Sequence, residues 1–351
     1  PETAPNNFVE ILENVWWILD LALDEKSAGA SFQAGLLANL KAGVTTVFDH
    51  HSSPNYTSGS LDLLIGIAEQ LGIRLGTAFE VTDRNGIDKF ASGLNENIQT
   101  INDNKNHPFI HPLLGLHASF TMSDLSLAAV KEAMEQLEYP AIHVHAAEDL
   151  ADQTDAIEKG YGSVVDRIER NGILTPGSLL IHGVHLSTED RQRIADSGSY
   201  LIHCPSSNAG NRVGALKGKL CEPFIGLGTD GKHINMLDEV KSAELIRSSH
   251  LKGNDPCPNY LNLLFKHNPQ IAGELFQQKI GRIEKDYHAD LVFYNYHPAT
   301  SIKGDNILSH VYGLGNPSDV MTEGEFRIRN FELVGMDETE ILKNARNQSQ
   351  K

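Results

Sequence analysis

Cysteine is scarce: the 351-residue chain holds three, Cys204, Cys221 and Cys257, with no CxxC pair. So few, in an odd number, exclude a disulfide framework and favour a reducing compartment, the cytoplasm. Basic residues are also in short supply. Lys and Arg total 29 against 46 Asp and Glu, a formal net charge of −17, and no basic cluster interrupts the acid excess. Such a surface repels polyphosphate, so nucleic acid is not an expected partner. No apolar run approaches the roughly 18 residues that a membrane helix needs, and no signal-peptide pattern is present. A membrane partner is therefore not expected either. Internal repeats and low-complexity tracts are missing as well.

What is present is a 40% hydrophobic chain, enough for one large core or a core with a small satellite. The stretch NNFVEILENVWWILDLALDEKS predicts a helix, since Phe8, Ile11, Leu12, Val15, Leu19 and Leu23 recur at three- and four-residue spacing. Short apolar runs follow at 43–51, 73–81, 111–119, 141–148, 178–185, 199–205 and 224–231. Helical segments at 59–72, 91–104, 123–137, 162–171, 187–197 and 235–250 separate or follow them. Ser123 and the pair Ser187 and Asp190 supply helix caps. Strand–helix alternation without hairpin signals predicts a parallel sheet of βα units.

Polar residues recur at the C-terminal ends of these strands: Asp49, His50 and His51, then Glu80, His117, His145, His182, His203 and Asp230. A (β/α)8 barrel puts its active site on that face, whereas a doubly wound sheet gathers its ligand at one crevice. The expected fold is therefore a TIM-like barrel, although only seven strands are legible. Past residue 280 the pattern changes. HADLVFYNYHP and GEFRIRNFELVG alternate like exposed strands, and the chain ends in a polar helix or tail. Residues 1–280 read as the barrel and 281–351 as part of a small β domain.

The run IHVHAAE places His143 and His145 on one face of a strand, with Glu148 just beyond it. Taken alone, these residues read equally well as two core histidines beside a solvated acid. His182 in LLIHGVHL could likewise be a core histidine, and Asp230 in GLGTDG a helix cap. Asn208 and Asn211 in HCPSSNAGN suit a tight turn, and Trp16 and Trp17 suit either helix packing or a wall over a pocket. Cys204 reads as a small buried residue. Together, however, four His- or Asp-ended strands aimed at one face are costly as core packing, because buried polar groups need partners. Imidazole and carboxylate suit Zn²⁺, and also Fe²⁺.

In this order the motifs FVEILENVWWILDLALDE, GVTTVFDHHSSPN, GLHASFTMSD, HVHAAED, IHGVHL, HCPSSN, GLGTDG and GRIEKDYHADLVFYNYHPAT resemble the amidohydrolase superfamily over essentially the whole chain. The resemblance is to its chlorohydrolase/deaminase branch, and within that to the aminohydrolases called SsnA. It implies metal-dependent hydrolysis of a C–N bond in a small cyclic amidine or amide, often a deamination. It implies His145 and Asp230 as metal ligands, Glu148 as the proton relay, His182 orienting water or polarising substrate, and Asp230 also helping to deprotonate the water. His117 is implied as a substrate contact, and Asn208 is taken with it as a second. A homodimer is in keeping with the resemblance. The family's HxH pair belongs on a first strand ahead of FVEILENV, and this chain, which starts at Pro1, has none there. The expectation is a copy lacking its N-terminal portion, in an open barrel of reduced stability. His182, His50 or His51 would then have to supply a third ligand. The competing expectations are a non-catalytic relative acting as a binding partner, and a doubly wound ligand-binding protein without metal.

Overall fold

A computed structural model describes residues 5–216, 222–250 and 259–350. Cys221 and Cys257 lie outside the described residues; Cys204 is buried and unpaired with another cysteine. The barrel strands are β1 Thr46–Phe48, β2 Arg74–Thr77, β3 Ile110–Pro112, β4 Leu114–Ala118, β5 Ile142–Ala146, β6 Leu179–His182, β7 Tyr200–His203 and β8 Ile225–Leu227. All pairings among them are parallel and follow chain order, as β1-β2-β3 and β4-β5-β6-β7-β8. β3 runs into β4 across Leu113, and a bridge from Val81 to Leu116 joins the two sheets into one arc. The seven apolar runs of the sequence thus each become one strand position. Among the described residues β8 pairs with β7 and β1 with β2, and no pairing joins β8 to β1.

Both faces of these strands are covered, which is why they read as nearly continuous apolar runs rather than as alternating ones. Helices Ser60–Leu71, Ile87–Asp103, Asp124–Met134, Val164–Arg170, Thr188–Asp196 and Met236–His250 fall where the periodicity predicts them. Ser123 caps Asp124–Met134, and Ser187 forms a capping box with Asp190. The first helical segment is broken. It runs as Phe8–Ile11, a π turn at Leu12–Trp16 and Trp17–Ala22, then turns extended at Leu23. A second helix, Glu25–Lys41, follows behind an Asp24 capping box.

Two local devices place the strand ends. A Cβ at Gly115 would lie 2.2 Å from Phe79 O, so glycine alone lets β4 approach the chain just before Glu80 this closely. The fully buried Asn97 side chain then bonds both backbone groups of Phe79 at 2.8 Å. At the opposite end of the barrel, helix Asn268–Phe276 inserts Ile271 and Leu275 into a cluster with Ala78, Leu113, Ala141, Leu179 and Ile181.

The last part of the chain forms an antiparallel sheet in the order β12-β11-β10-β9. Its strands are β9 Leu291–Phe293, β10 Asp319–Thr322, β11 Glu325–Arg329 and β12 Glu332–Leu333. Val320 and Ile328 share a core cluster with Leu36, Leu40, Leu71 and Leu75. Arg74, fully buried, pairs with Asp290 and Glu323 and so fastens β2 to this sheet. The polar C-terminal stretch is helical, Glu338–Gln348, and its Glu338 bonds Lys41.

Candidate active site

The C-terminal ends of the strands surround a cavity of about 200 Å³. Its floor carries His50, Glu80, His117, His145, Glu148, His182 and Asp230. Its roof is the N-terminal segment, with Phe8, Leu12, Trp16 and Trp17. Phe8 and Leu12 pack on Val184 and Val213, and this contact holds the roof down. The π turn at Leu12–Trp16 lies in this roof, and such turns are frequent at functional sites.

Glu148, His182 and Asp230 bring one ligand atom each within 4.8 Å of one another. His182 Nε2 lies 3.3 Å from Glu148 Oε2 and 3.2 Å from His145 Nδ1. The sequence therefore singled out four residues that converge. His145 also belongs to a second set of donors, with His50 and Glu80, that again lie within 4.8 Å of one another. His117 stands beside them, its ring centroid 5.7 Å from that of His145, with Nδ1 bonded to Thr121 Oγ1 at 2.8 Å.

Asn208, expected to touch substrate, is fully buried. Its Oδ1 meets His182 Nδ1 at 2.8 Å and its amide nitrogen faces His203. It fixes the His182 ring. The asparagine that lines the cavity is Asn211, whose Nδ2 donates to Glu148 Oε1 at 2.9 Å. The two sit three residues apart around helix Pro205–Gly210, so the sequence alone does not say which one turns inward. Glu80 was legible only as a polar strand end, and His50 as one of three candidates for a third ligand. His51 turns away, bonding Ser53 at 2.7 Å and packing on Phe32.

Backbone strain concentrates here. His182 has φ +76°, Ala147 +50° and Asp230 +51°, a left-handed region that non-glycine residues seldom occupy. Asp152 holds the Ala147 turn by accepting from Ala147 N at 2.9 Å, and its other oxygen accepts from Phe120 N at 3.1 Å. Arg167, also fully buried, donates to Ser119 O, Met122 O and Asp124, which fixes the loop after His117.

Electrostatics follow from burial. Burial raises the Glu148 carboxyl to about 7, against the opposing pull of His145 and Asn211. Burial lowers His145 to about 4 and also lowers His182, so both rings are neutral at pH 7 and free to ligate. Burial acts to raise the Asp230 carboxyl too, but His182, His145 and the Ser207 hydroxyl outweigh it and hold that group below its ordinary value. A neutral imidazole pair beside an ionised carboxylate is a donor set that fits a divalent cation such as Zn²⁺.

A parallel βα barrel with imidazole and carboxylate donors clustered at its strand ends defines a metal-dependent hydrolase type of scaffold. The match to the model of the Amidohydrolase family spans residues 6–327, and the chain belongs to that family. It is 26% identical to the 5'-deoxyadenosine deaminase of Methanococcus aeolicus, over 95% of this chain and 78% of that protein. It is 25% identical to the 5-methylthioadenosine/S-adenosylhomocysteine deaminase of Thermococcus kodakarensis, over 90% and 74%. Among solved structures it is similar to a zinc-bound adenosine deaminase from Xanthomonas campestris, with TM-score 0.82, 20% identity, and coverage of 99% of this chain and 81% of that one. The zinc complex of atrazine chlorohydrolase from Arthrobacter aurescens TC1 gives 0.77, with 18% identity and coverage of 97% and 82%. No helix among the described residues is long and apolar enough to cross a membrane.

Proposed function

We propose that this chain is a metal-dependent aminohydrolase that removes an exocyclic amine from a nitrogen-containing ring, with a 6-aminopurine nucleoside as the first substrate class to test. The deaminases among its relatives favour that class. The observation that carries the reading is the convergence of Glu148, His182 and Asp230 on the cavity floor, with His145 at 3.2 Å from His182. His145 and Asp230 would hold Zn²⁺, with Fe²⁺ compatible with the same donors. The cation would supply Lewis acidity and bring the pKa of a water toward neutrality.

The chain's own residues divide the remaining work. Glu148, poised near neutrality, takes a proton from the attacking water and returns it to the leaving nitrogen. His182, its Nδ1–H locked by Asn208 Oδ1, presents Nε2 as an acceptor that orients the water. Asp230 accepts the water's other proton, which ends on the ring nitrogen beside the reacting carbon as the C–O bond forms and the C–N bond breaks. His117 and the Trp16–Trp17 roof contact the ring. Residues 1–280 serve as the catalytic unit and 281–351 as its β flank, in a cytoplasmic protein that forms a homodimer.

The test is ammonia release from adenosine, 5'-deoxyadenosine, methylthioadenosine and guanine by Zn²⁺-loaded protein. Turnover of one of these, with kcat lowered about 10²–10⁴-fold in Glu148→Gln at unchanged metal content, is the expected result. No ammonia from any of them would overturn the reading.

A further inference from the structure

His50 is the least satisfied polar side chain on the cavity floor. Both of its ring nitrogens are buried, and neither Nδ1 nor Nε2 has a hydrogen-bond partner. Native interiors rarely leave an imidazole in this state, and an ion or a water is the usual explanation. Its surroundings narrow the choice. The ring centroid lies 4.9 Å from that of His145, and Nε2 stands 3.9 Å from Glu80 Oε2. The other oxygen of Glu80 is already engaged: Ser52 donates to it at 3.2 Å, and Arg84 pairs with it. Arg84 is held in turn over the Trp17 ring at 4.3 Å. Glu80 is thus an oriented carboxylate that presents one free oxygen toward His50, with its second oxygen fixed by an outer layer of partners.

We infer that His50, Glu80 and His145 form a divalent transition-metal site on the β1–β2 side of the cavity. This deepens the metal assignment under the proposed function, through their shared residue His145, but does not require Asp230. Two imidazoles and one carboxylate are an established zinc donor set. The three ligand atoms lie within 4.8 Å of one another. Zinc–donor bonds of about 2.0–2.1 Å put tetrahedral ligands roughly 3.3 Å apart, so small side-chain rotations complete the site. The alternative of a water alone leaves His50 with at most one new bond per water in a pocket lined by three further imidazoles, His117, His145 and His182.

The experiment is a Co²⁺ titration of chelator-stripped protein, followed by visible absorption, with Zn²⁺ content by elemental analysis. The variants are His50→Asn, Glu80→Gln, Asp230→Asn and, as a control for the neighbouring ring, His51→Asn; circular dichroism confirms the fold of each. The expected result is that His50→Asn and Glu80→Gln each weaken Co²⁺ binding at least tenfold and change its spectrum, while His51→Asn does neither. Retention of the same spectrum in Asp230→Asn places the ion on the His50 side alone; its weakening there too shows one ion shared with Asp230, still ligated by His50 and Glu80. Wild-type binding in both His50→Asn and Glu80→Gln would overturn the inference, and a simultaneous loss in Asp230→Asn would leave the proposed function standing. No metal bound by the wild-type chain would overturn both. Should His50→Asn fail to fold, Glu80→Gln, which keeps volume and the Arg84 contact, decides alone.

Discussion

The Asp152 carboxylate accepts the backbone N–H of Ala147 at 2.9 Å, one residue before Glu148. Ala147 is in the left-handed region, so this bond holds a turn that an alanine would not keep unaided. Through its other oxygen Asp152 also ties down Phe120. Asp152→Ala leaves two buried N–H groups without acceptors, at about 1–3 kcal/mol each. The expected loss is about 2–6 kcal/mol in urea unfolding. A change under 0.5 kcal/mol would show that the turn does not depend on Asp152.

Arg74 lies under the barrel with Asp290 and Glu323 as partners and Gln278 at 2.8 Å. Removing one member of a buried ion pair costs about 3–5 kcal/mol, because the remaining charge is stranded. Arg74→Ala is expected to lose that much by denaturant titration. Adding Asp290→Asn and Glu323→Gln should restore part of it. An unaltered midpoint in Arg74→Ala would mean that the sheet β9–β12 is not fastened here.

His111 gives a pH signature far from the metal donors. Its ring packs on Phe276, and burial lowers its pKa to about 4 from 6.5. The folded form is therefore neutral where the unfolded form takes up a proton. The stability this contributes is complete above pH 6.5 and is lost as pH falls toward 4. Between pH 7.5 and 4.5 the wild type should lose about 2 kcal/mol more than His111→Phe. Parallel losses in the two proteins would show that the ring is solvated.

Asn208 acts on His182 from behind. Asn208→Ala removes the 2.8 Å bond to His182 Nδ1 and frees the ring. Loss of such an outer partner typically costs about 10–100-fold in activity or metal affinity. The expected outcome is a fall in kcat of that size with KM little changed, and partial rescue by Asn208→Gln. A rise in KM alone would place Asn208 against the substrate after all.

The strands and helices of the barrel were legible because apolar periodicity is a local property. So were the caps at Ser123 and Ser187. Helix Glu25–Lys41 was not, since its sequence is rich in Ala, Gly and Ser and carries little amphipathic contrast. β10 was missed because DVMT is a four-residue strand with a bulge against its neighbour. At the site, His145, Glu148, His182 and Asp230 stood out as donor types at strand ends. That His50 and Glu80 face His145 was not readable, because adjacency around a barrel is set by strand order and twist rather than by spacing in the chain. The exchange of Asn208 for Asn211 at the cavity has the same origin, a matter of which way one short helix is rotated.

Floor and roof of the cavity come from separate parts of the chain. The imidazole and carboxylate donors sit at the ends of strands held by their neighbours. The ceiling is a short kinked ribbon, residues 8–22, anchored mainly by Phe8 and Leu12. The shape of the cavity's upper wall and the donors on its floor are thereby encoded in different stretches of sequence. Exchanging this ribbon for that of a relative would change the wall and leave the donors beneath it in place.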